Sequence, residues 1–185
     1  MTIQKRRSQH NVYYVRNAVF LRKEVIFTEI YTVSFFGHRY IDNFYKIEEK
    51  LEEIIRELIR EHEYVDFLVG RDGDFDQIVS STVKRIKRDV WDCNSSLIWV
   101  MPYPKAEYSN NQDNFEEYYD EIEVCYESSK VHPKSAIQIR NKYMVNRSDL
   151  VIFYVETTSG GAYQTMKYAE KIEKNMVNLK EQIEA

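Results

Sequence analysis

Three short stretches hold all five glycines of the chain and an unusual set of charged neighbours. They are Gly37-His38-Arg39, Gly70-Arg71-Asp72-Gly73-Asp74-Phe75-Asp76 and Thr157-Thr158-Ser159-Gly160-Gly161-Ala162. Glycine allows close backbone approach and positive φ, as a loop around a phosphate or ribose requires. Short strand-to-helix loops also use glycine for their own turns. Ser159-Gly160-Gly161 at the opening of a helix presents unpaired N–H groups and the positive end of the dipole to an anion, without a Walker lysine. His38 and Arg39 suit a phosphate or a base, or the capping of a turn. Asp76 is placed to accept from ribose hydroxyls or to cap the helix after it. Asp72, Asp74 and Asp76 fall short of the EF-hand pattern and no His joins them, so neither a metal nor another cofactor is expected.

A fourth group lies on one helical face: Ile137, Arg140, Asn141 and Met144, spaced i, i+3, i+4, i+7. Arg and Asn on an otherwise apolar, core-facing stripe are costly unless paired or reaching a ligand cavity. A salt bridge from Arg140 to Asp149 or Asp76 would satisfy the first condition. A side chain reaching a phosphate or ribose, the preferred reading, would satisfy the second.

The elements that must position these groups are legible as alternating patterns. Ile30–Phe36, Tyr64–Val69, Ser96–Met101 and Leu150–Val155 are nearly continuous apolar runs, as expected of strands buried on both faces of a parallel sheet. Ile47, Leu51, Ile54, Ile55, Leu58 and Ile59 form a helical stripe after the first run, with glutamates opposite. Phe75, Val79, Val83 and Ile86 form a shorter stripe after the second. A last helix is expected from near Gly161 to about Lys174 or beyond. The alternation defines an α/β, Rossmann-like doubly wound and mainly parallel sheet, with helices on both faces and right-handed crossovers. In such sheets ligands bind outside the carboxyl ends of the strands, where all the glycine loops and Met101-Pro102-Tyr103-Pro104 fall.

Residues 102–135 hold all three prolines and an acidic, tyrosine-rich stretch from Glu116 to Glu127. They read as a functional lid or small subdomain, or as an irregular excursion with one helix over the sheet edge. Tyr118, Tyr119 and Tyr126 hint at a partner surface. Residues 1–29 carry six basic and two acidic side chains and read as an extension: an extra edge element or a basic arm. Residues 30–185 read as one domain.

The 185 residues are 43% apolar and 30% charged, enough for one core without a disulfide or metal staple. The net charge of −4 disfavours a general nucleic-acid binder, whose affinity rests on phosphate neutralisation. Cys93 and Cys125 have no CxxC or Cys/His spacing and read as reduced thiols. No apolar run approaches the roughly 20 residues of a membrane span and no leader pattern is evident, so a cytoplasmic protein without membrane association is expected.

Together these residues resemble the SLOG (SMF/DprA–LOG) superfamily and, within it, the YpsA-like branch. The matching features are Thr32-Val33-Ser34-Phe35-Phe36-Gly37-His38-Arg39, the Gly70-x-x-Gly73-x-Phe75-Asp76 loop and Arg140-Asn141-x-x-Met144. Ser148-Asp149-Leu150-Val151-Ile152, followed by Gly160-Gly161-Ala162, completes them, and the likeness covers residues 30–172. The resemblance implies a Rossmann-like fold whose glycine loops bind a nucleotide or nucleotide-derived ligand. Relatives include cytokinin-activating phosphoribohydrolases, DNA-processing proteins and sensor domains of bacterial conflict systems. It carries the binding role onto Gly37, Arg39, Gly70, Gly73, Asp76, Arg140, Asn141, Gly160 and Gly161, which His38 and Ser159 adjoin. It also suggests a homodimer. The hydrolase branch has a PGGxGTxxE motif with a glutamate used in N-glycosidic cleavage; here Met166 and Lys167 stand where acids would.

The leading expectation is therefore a binder or sensor of a nucleotide-derived small molecule. The first alternative is an N-glycosidic hydrolase or transferase, with Asp76 as the candidate carboxylate against the sugar and Glu170 a distant second. The second alternative is single-stranded nucleic-acid binding, for which Lys84, Arg85, Lys87 and Arg88 offer a basic cluster, though such runs are commonly solvated helix faces. Nucleic acid is the least favoured of the three readings, and is not expected as a partner.

Overall fold

The computed structural model describes residues 6–7, 13–15, 18–21, 24–26, 29–42, 44–90 and 94–183. Four short strands come first: β1 (Arg6–Arg7), β2 (Tyr13–Val15), β3 (Ala18–Leu21) and β4 (Glu24–Ile26). They pair in sequence as an antiparallel sheet, Tyr13 opposite Phe20 and Val19 opposite Ile26. The extension thus contains a meander of its own, separate in hydrogen bonding from the main sheet. Cys93 lies outside the described residues.

The main sheet has six parallel strands in the order β10-β9-β5-β6-β7-β8. They are β5 (Ile30–Gly37), β6 (Tyr64–Val69), β7 (Ser95–Met101), β8 (Glu121–Val124), β9 (Leu150–Tyr154) and β10 (Met176–Asn178). The four central strands are those expected from the apolar runs; the two edge strands, β8 and β10, are additions. Successive side chains point to opposite faces. Val33, Phe35, Phe67, Leu97, Trp99 and Ile152 belong to one buried cluster. Phe36, Leu68, Ile98, Val100, Val151 and Phe153 belong to the other. Continuous apolarity is therefore the sum of two alternating faces.

Helix α1 (Phe44–Glu61) buries Ile47, Leu51, Ile55 and Leu58 against the first cluster, beside α2 (Asp74–Asp89), which buries Phe75, Val79, Val83 and Ile86. The opposite face is covered by α6 (Pro133–Arg147) and α7 (Gly160–Lys171), through Met144, Val145 and Ala169. Helix α7 stops at Lys171, short of the expected Lys174. Glu173 has a positive φ of 54°, and the chain turns into β10 and then α8 (Leu179–Ile183), whose Leu179 is buried in the first cluster.

Residues 102–135 form three short helices and an edge strand: α3 (Ala106–Asn110), α4 (Gln112–Tyr118), β8 and α5 (Tyr126–Ser129). Trp99 organises them, its ring 5.1 Å from Phe115, 5.4 Å from Tyr119 and 6.1 Å from Tyr108. This corrects the surface reading of the tyrosines. Tyr119 is buried in the core, Tyr118 packs against it, and only Tyr126 stands out to solvent.

Strands β5 and β9 are neighbours, yet the helices that follow them, α1 and α7, go to opposite faces of the sheet. Their parting leaves a crevice at the carboxyl ends, the position at which doubly wound sheets receive ligands.

Candidate functional site

A cavity of about 570 Å³ occupies this crevice. Its wall contains Gly37, His38, Arg39 and Tyr40 from the loop after β5, and Asp72, Gly73 and Asp76 from the loop after β6. Arg140 and Asn141 of α6, and Ser159, Gly160 and Gly161 at the start of α7, complete it. Of the residues expected at the site, only Gly70 lies behind this wall. A Cβ there would stand 2.7 Å from both a guanidinium nitrogen of Arg140 and a carboxylate oxygen of Asp76.

The β5 and β6 loops are fastened to each other by main-chain bonds. Asp74 N–H donates to the Arg39 carbonyl (2.9 Å), and Ile41 N–H donates to the Asp74 carboxylate (3.1 Å). Gly73 makes this possible, since a Cβ there would meet the Arg39 Cα at 2.6 Å. Gly160 has a different reason: its φ of +90° is unfavourable for other residues, while the space around it is open. It leads into the first turn of α7, where the Ser159 side chain makes no capping bond.

His38 Nε2 accepts the Glu156 N–H at 2.8 Å, joining the β5 and β9 loops. This bond is neither of the two roles expected of His38, which also lines the cavity. Arg39, beside it, is exposed at the rim and forms no ion pair among the described residues.

Arg140 is 4% exposed. Its Nη2 donates to Asp72 at 2.9 Å and its Nη1 makes a long contact of 3.6 Å with Met144 Sδ. Its Nε has no hydrogen-bond partner. The alternatives of Asp149 and Asp76 are corrected: the partner is Asp72. Asp149 instead accepts the Thr32 N–H at 2.7 Å, pinning β5. Asn141 donates to Thr165 Oγ1 at 3.0 Å, and its Oδ1 is buried without a partner. Arg140 Nε and Asn141 Oδ1 are both enclosed within the wall rather than open to the cavity.

The two carboxylates titrate in opposite directions. Burial opposes ionisation of Asp72, but Lys105, Arg140 and Arg39 outweigh it and hold its pKa below the usual carboxylate range. Lys105, from the loop before α3, bonds Asp72 directly. Burial pushes the Asp76 carboxyl up, with Arg140 and the Asp72 N–H bond (2.8 Å) working against it. Asp76 Oδ2 thus closes a turn on its own loop, and α2 has no side-chain cap. Glu170 is exposed on α7, ion-paired with Lys167, and is no part of the cavity.

Sequence reasoning missed Tyr40 and Lys105 as members of this region. The signal for Tyr40 was available: an aromatic next to Arg39, outside any apolar period. Nothing local marked Lys105, which is brought in by the Trp99 cluster. Three of the four basic residues on α2 have structural partners, while Arg88 stays exposed. Arg85 bridges Glu48 and Glu52 of α1 (2.8 and 2.6 Å), Lys87 pairs with Asp120 (3.0 Å), and Lys84 lies over the Tyr118 ring.

A parallel doubly wound sheet with a polar cavity at its crossover defines a Rossmann-like α/β protein. No family model and no curated protein matches the sequence. Among solved structures the chain is similar to DNA processing protein A (DprA) from Streptococcus pneumoniae, with TM-score 0.58 and 14% identity over 80% of this chain and 49% of that one. It is also similar to DNA processing protein A from Helicobacter pylori, a structure described for its single-stranded DNA binding mode. There the TM-score is 0.57 and the identity 19%, over 79% of this chain and 63% of that one. The chain therefore spans about half to two thirds of the length of these proteins.

The fold implied by the SMF/DprA–LOG resemblance is thus the observed one; the YpsA-like branch is not singled out. One expectation is corrected. Net charge disfavoured nucleic acid as a partner, yet a protein of this fold is described binding single-stranded DNA. Net charge describes the average field over a surface, whereas strand binding needs only a local groove. No described helix is long and apolar enough to cross a membrane.

Proposed function

We propose that the chain binds single-stranded nucleic acid and seats one nucleotide unit in the cavity between the β5 and β9 loops. The observation that carries this reading is the cavity itself, at the crossover of the sheet, with Arg140 and Asn141 in its wall and the first turn of α7 at its edge. A phosphate there would meet Arg140, Arg39 at the rim and the first-turn N–H groups of α7 at Gly160 and Gly161. The likeness of fold to the Helicobacter pylori protein supports a strand over a free nucleotide as the natural ligand.

The test is fluorescence anisotropy with a labelled single-stranded oligonucleotide, its duplex and a mononucleotide competitor, over a salt series. Single strands should bind more tightly than duplex, and Arg140→Ala should weaken binding. The logarithm of affinity should fall with that of salt by about 0.7 per phosphate neutralised. Absent or salt-insensitive strand binding would remove the reading.

A further inference from the structure

Tyr40 is 82% exposed although it sits between two anchored residues. The Arg39 carbonyl accepts from Asp74 N–H, and the Ile41 N–H donates to the Asp74 side chain, with Ile41 itself buried. Its backbone is thus fixed while its ring makes no hydrogen bond or ring contact among the described residues. A large aromatic in water on a rigid mount contributes nothing to the core, so folding does not account for it. Tyr40 lines the mouth of the cavity and adjoins Arg39, a rim cation that forms no ion pair among the described residues. Phe44 and Tyr45, 47% and 75% exposed, follow in the first turn of α1.

We infer that Tyr40 is a stacking platform for an unpaired base of the strand whose phosphate lies in the cavity, an inference that rests on the proposed function. The adjacency supplies what a nucleotide presents: a charge for the phosphate and, one residue on, a π-face for the base. Stacking is open to any base because each has a π-face, and it selects unpaired over paired strands because a duplex hides those faces. The other occupant of an exposed aromatic rim, a protein partner, would need no cation beside it and no cavity beneath it.

The experiment compares Tyr40→Ala, Tyr40→Phe and wild type for binding to a short labelled oligothymidylate and to the same backbone lacking its bases. Tyr40→Ala should weaken the intact strand roughly tenfold and leave the base-free strand unchanged, while Tyr40→Phe matches wild type. A Tyr40→Trp variant should report the stack directly, its fluorescence quenched by the intact strand and not by the base-free one. If wild type binds strands but Tyr40→Ala loses nothing, or loses equally on both strands, the stacking role is overturned and the proposed function stands. If wild type binds neither strand, both fall.

Discussion

Asp72 concentrates the electrostatics of the site, because two cations from distant parts of the chain converge on it. Arg140 comes from α6 and Lys105 from the loop before α3. Removing one member of a mostly buried pair leaves the other charge without compensation, which costs more than the pair contributes. Asp72→Asn should therefore lower stability by about 2 kcal/mol at neutral pH, measured by urea unfolding. The pH dependence follows from the direction of the shift. The folded-state pKa of Asp72 is depressed, so its contribution is present above the unfolded carboxylate pKa and lost as pH falls through the folded one. The gap between wild type and Asp72→Asn should close in acid. Asp76 has the opposite sign. Its folded pKa is raised by burial, so the protein is favoured at low pH and loses that advantage as pH rises through the folded value. Asp76→Asn retains an oxygen to accept the Asp72 N–H and removes the ionisation. Its stability relative to wild type should rise with pH, read as the difference in thermal midpoint across a buffer series.

At the scale of elements, the clasp between the β5 and β6 loops decides whether the wall of the cavity holds its shape. Gly73→Ala would push a methyl against the Arg39 backbone, which has no flexible end to yield. The two loops must part, at a cost of about 1–3 kcal/mol and with weakened strand binding, checked by denaturation and anisotropy on the same preparation. The elements themselves were largely legible. Strands β5, β6, β7 and β9 announced themselves because each is buried on both faces, and α1 because Ile47, Leu51, Ile55 and Leu58 keep a strict period against glutamates. The edge strands were not. Glu121-Ile122-Glu123-Val124 is a four-residue strand in an acidic, tyrosine-rich setting, and Met176-Val177-Asn178 is three residues long; both are only partly buried. Their pairing is dictated by β7 and β9 rather than by their own pattern. The glycine loops were placed at the site by topology alone, but the roles within them were not legible. That Gly73 serves loop packing and Gly160 a positive φ depends on contacts between segments far apart in sequence. So does Arg140's choice of Asp72, since nothing local distinguishes that carboxylate from Asp76 or Asp149.

At the scale of the molecule, the cations of the described residues bear on how a chain of net charge −4 would bind the proposed polyanionic ligand. Arg85 and Lys87, the centre of the most basic run, are committed to Glu48, Glu52 and Asp120. They hold α1 to α2 and α2 to the β7–β8 edge, so a strand approaching them would compete with existing partners. Arg39 makes no ion pair among the described residues, its influence on Asp72 acting at longer range, and it opens onto the cavity. On the proposed function, long-range attraction is weak and affinity rests on the few phosphates reached at the crossover. Arg39 and Arg85, alike in composition, therefore have different tasks. Arg39→Ala should weaken single-strand binding roughly tenfold and flatten the salt dependence by close to one phosphate's share, with little change in thermal midpoint. Arg85→Ala should do the reverse, leaving affinity and salt slope unchanged and lowering stability by about 0.5–1 kcal/mol, because its pairs are partly exposed. Equal losses of affinity in the two variants would mean that the strand follows the α2 face, and the cavity would then be the wrong place to look for the ligand.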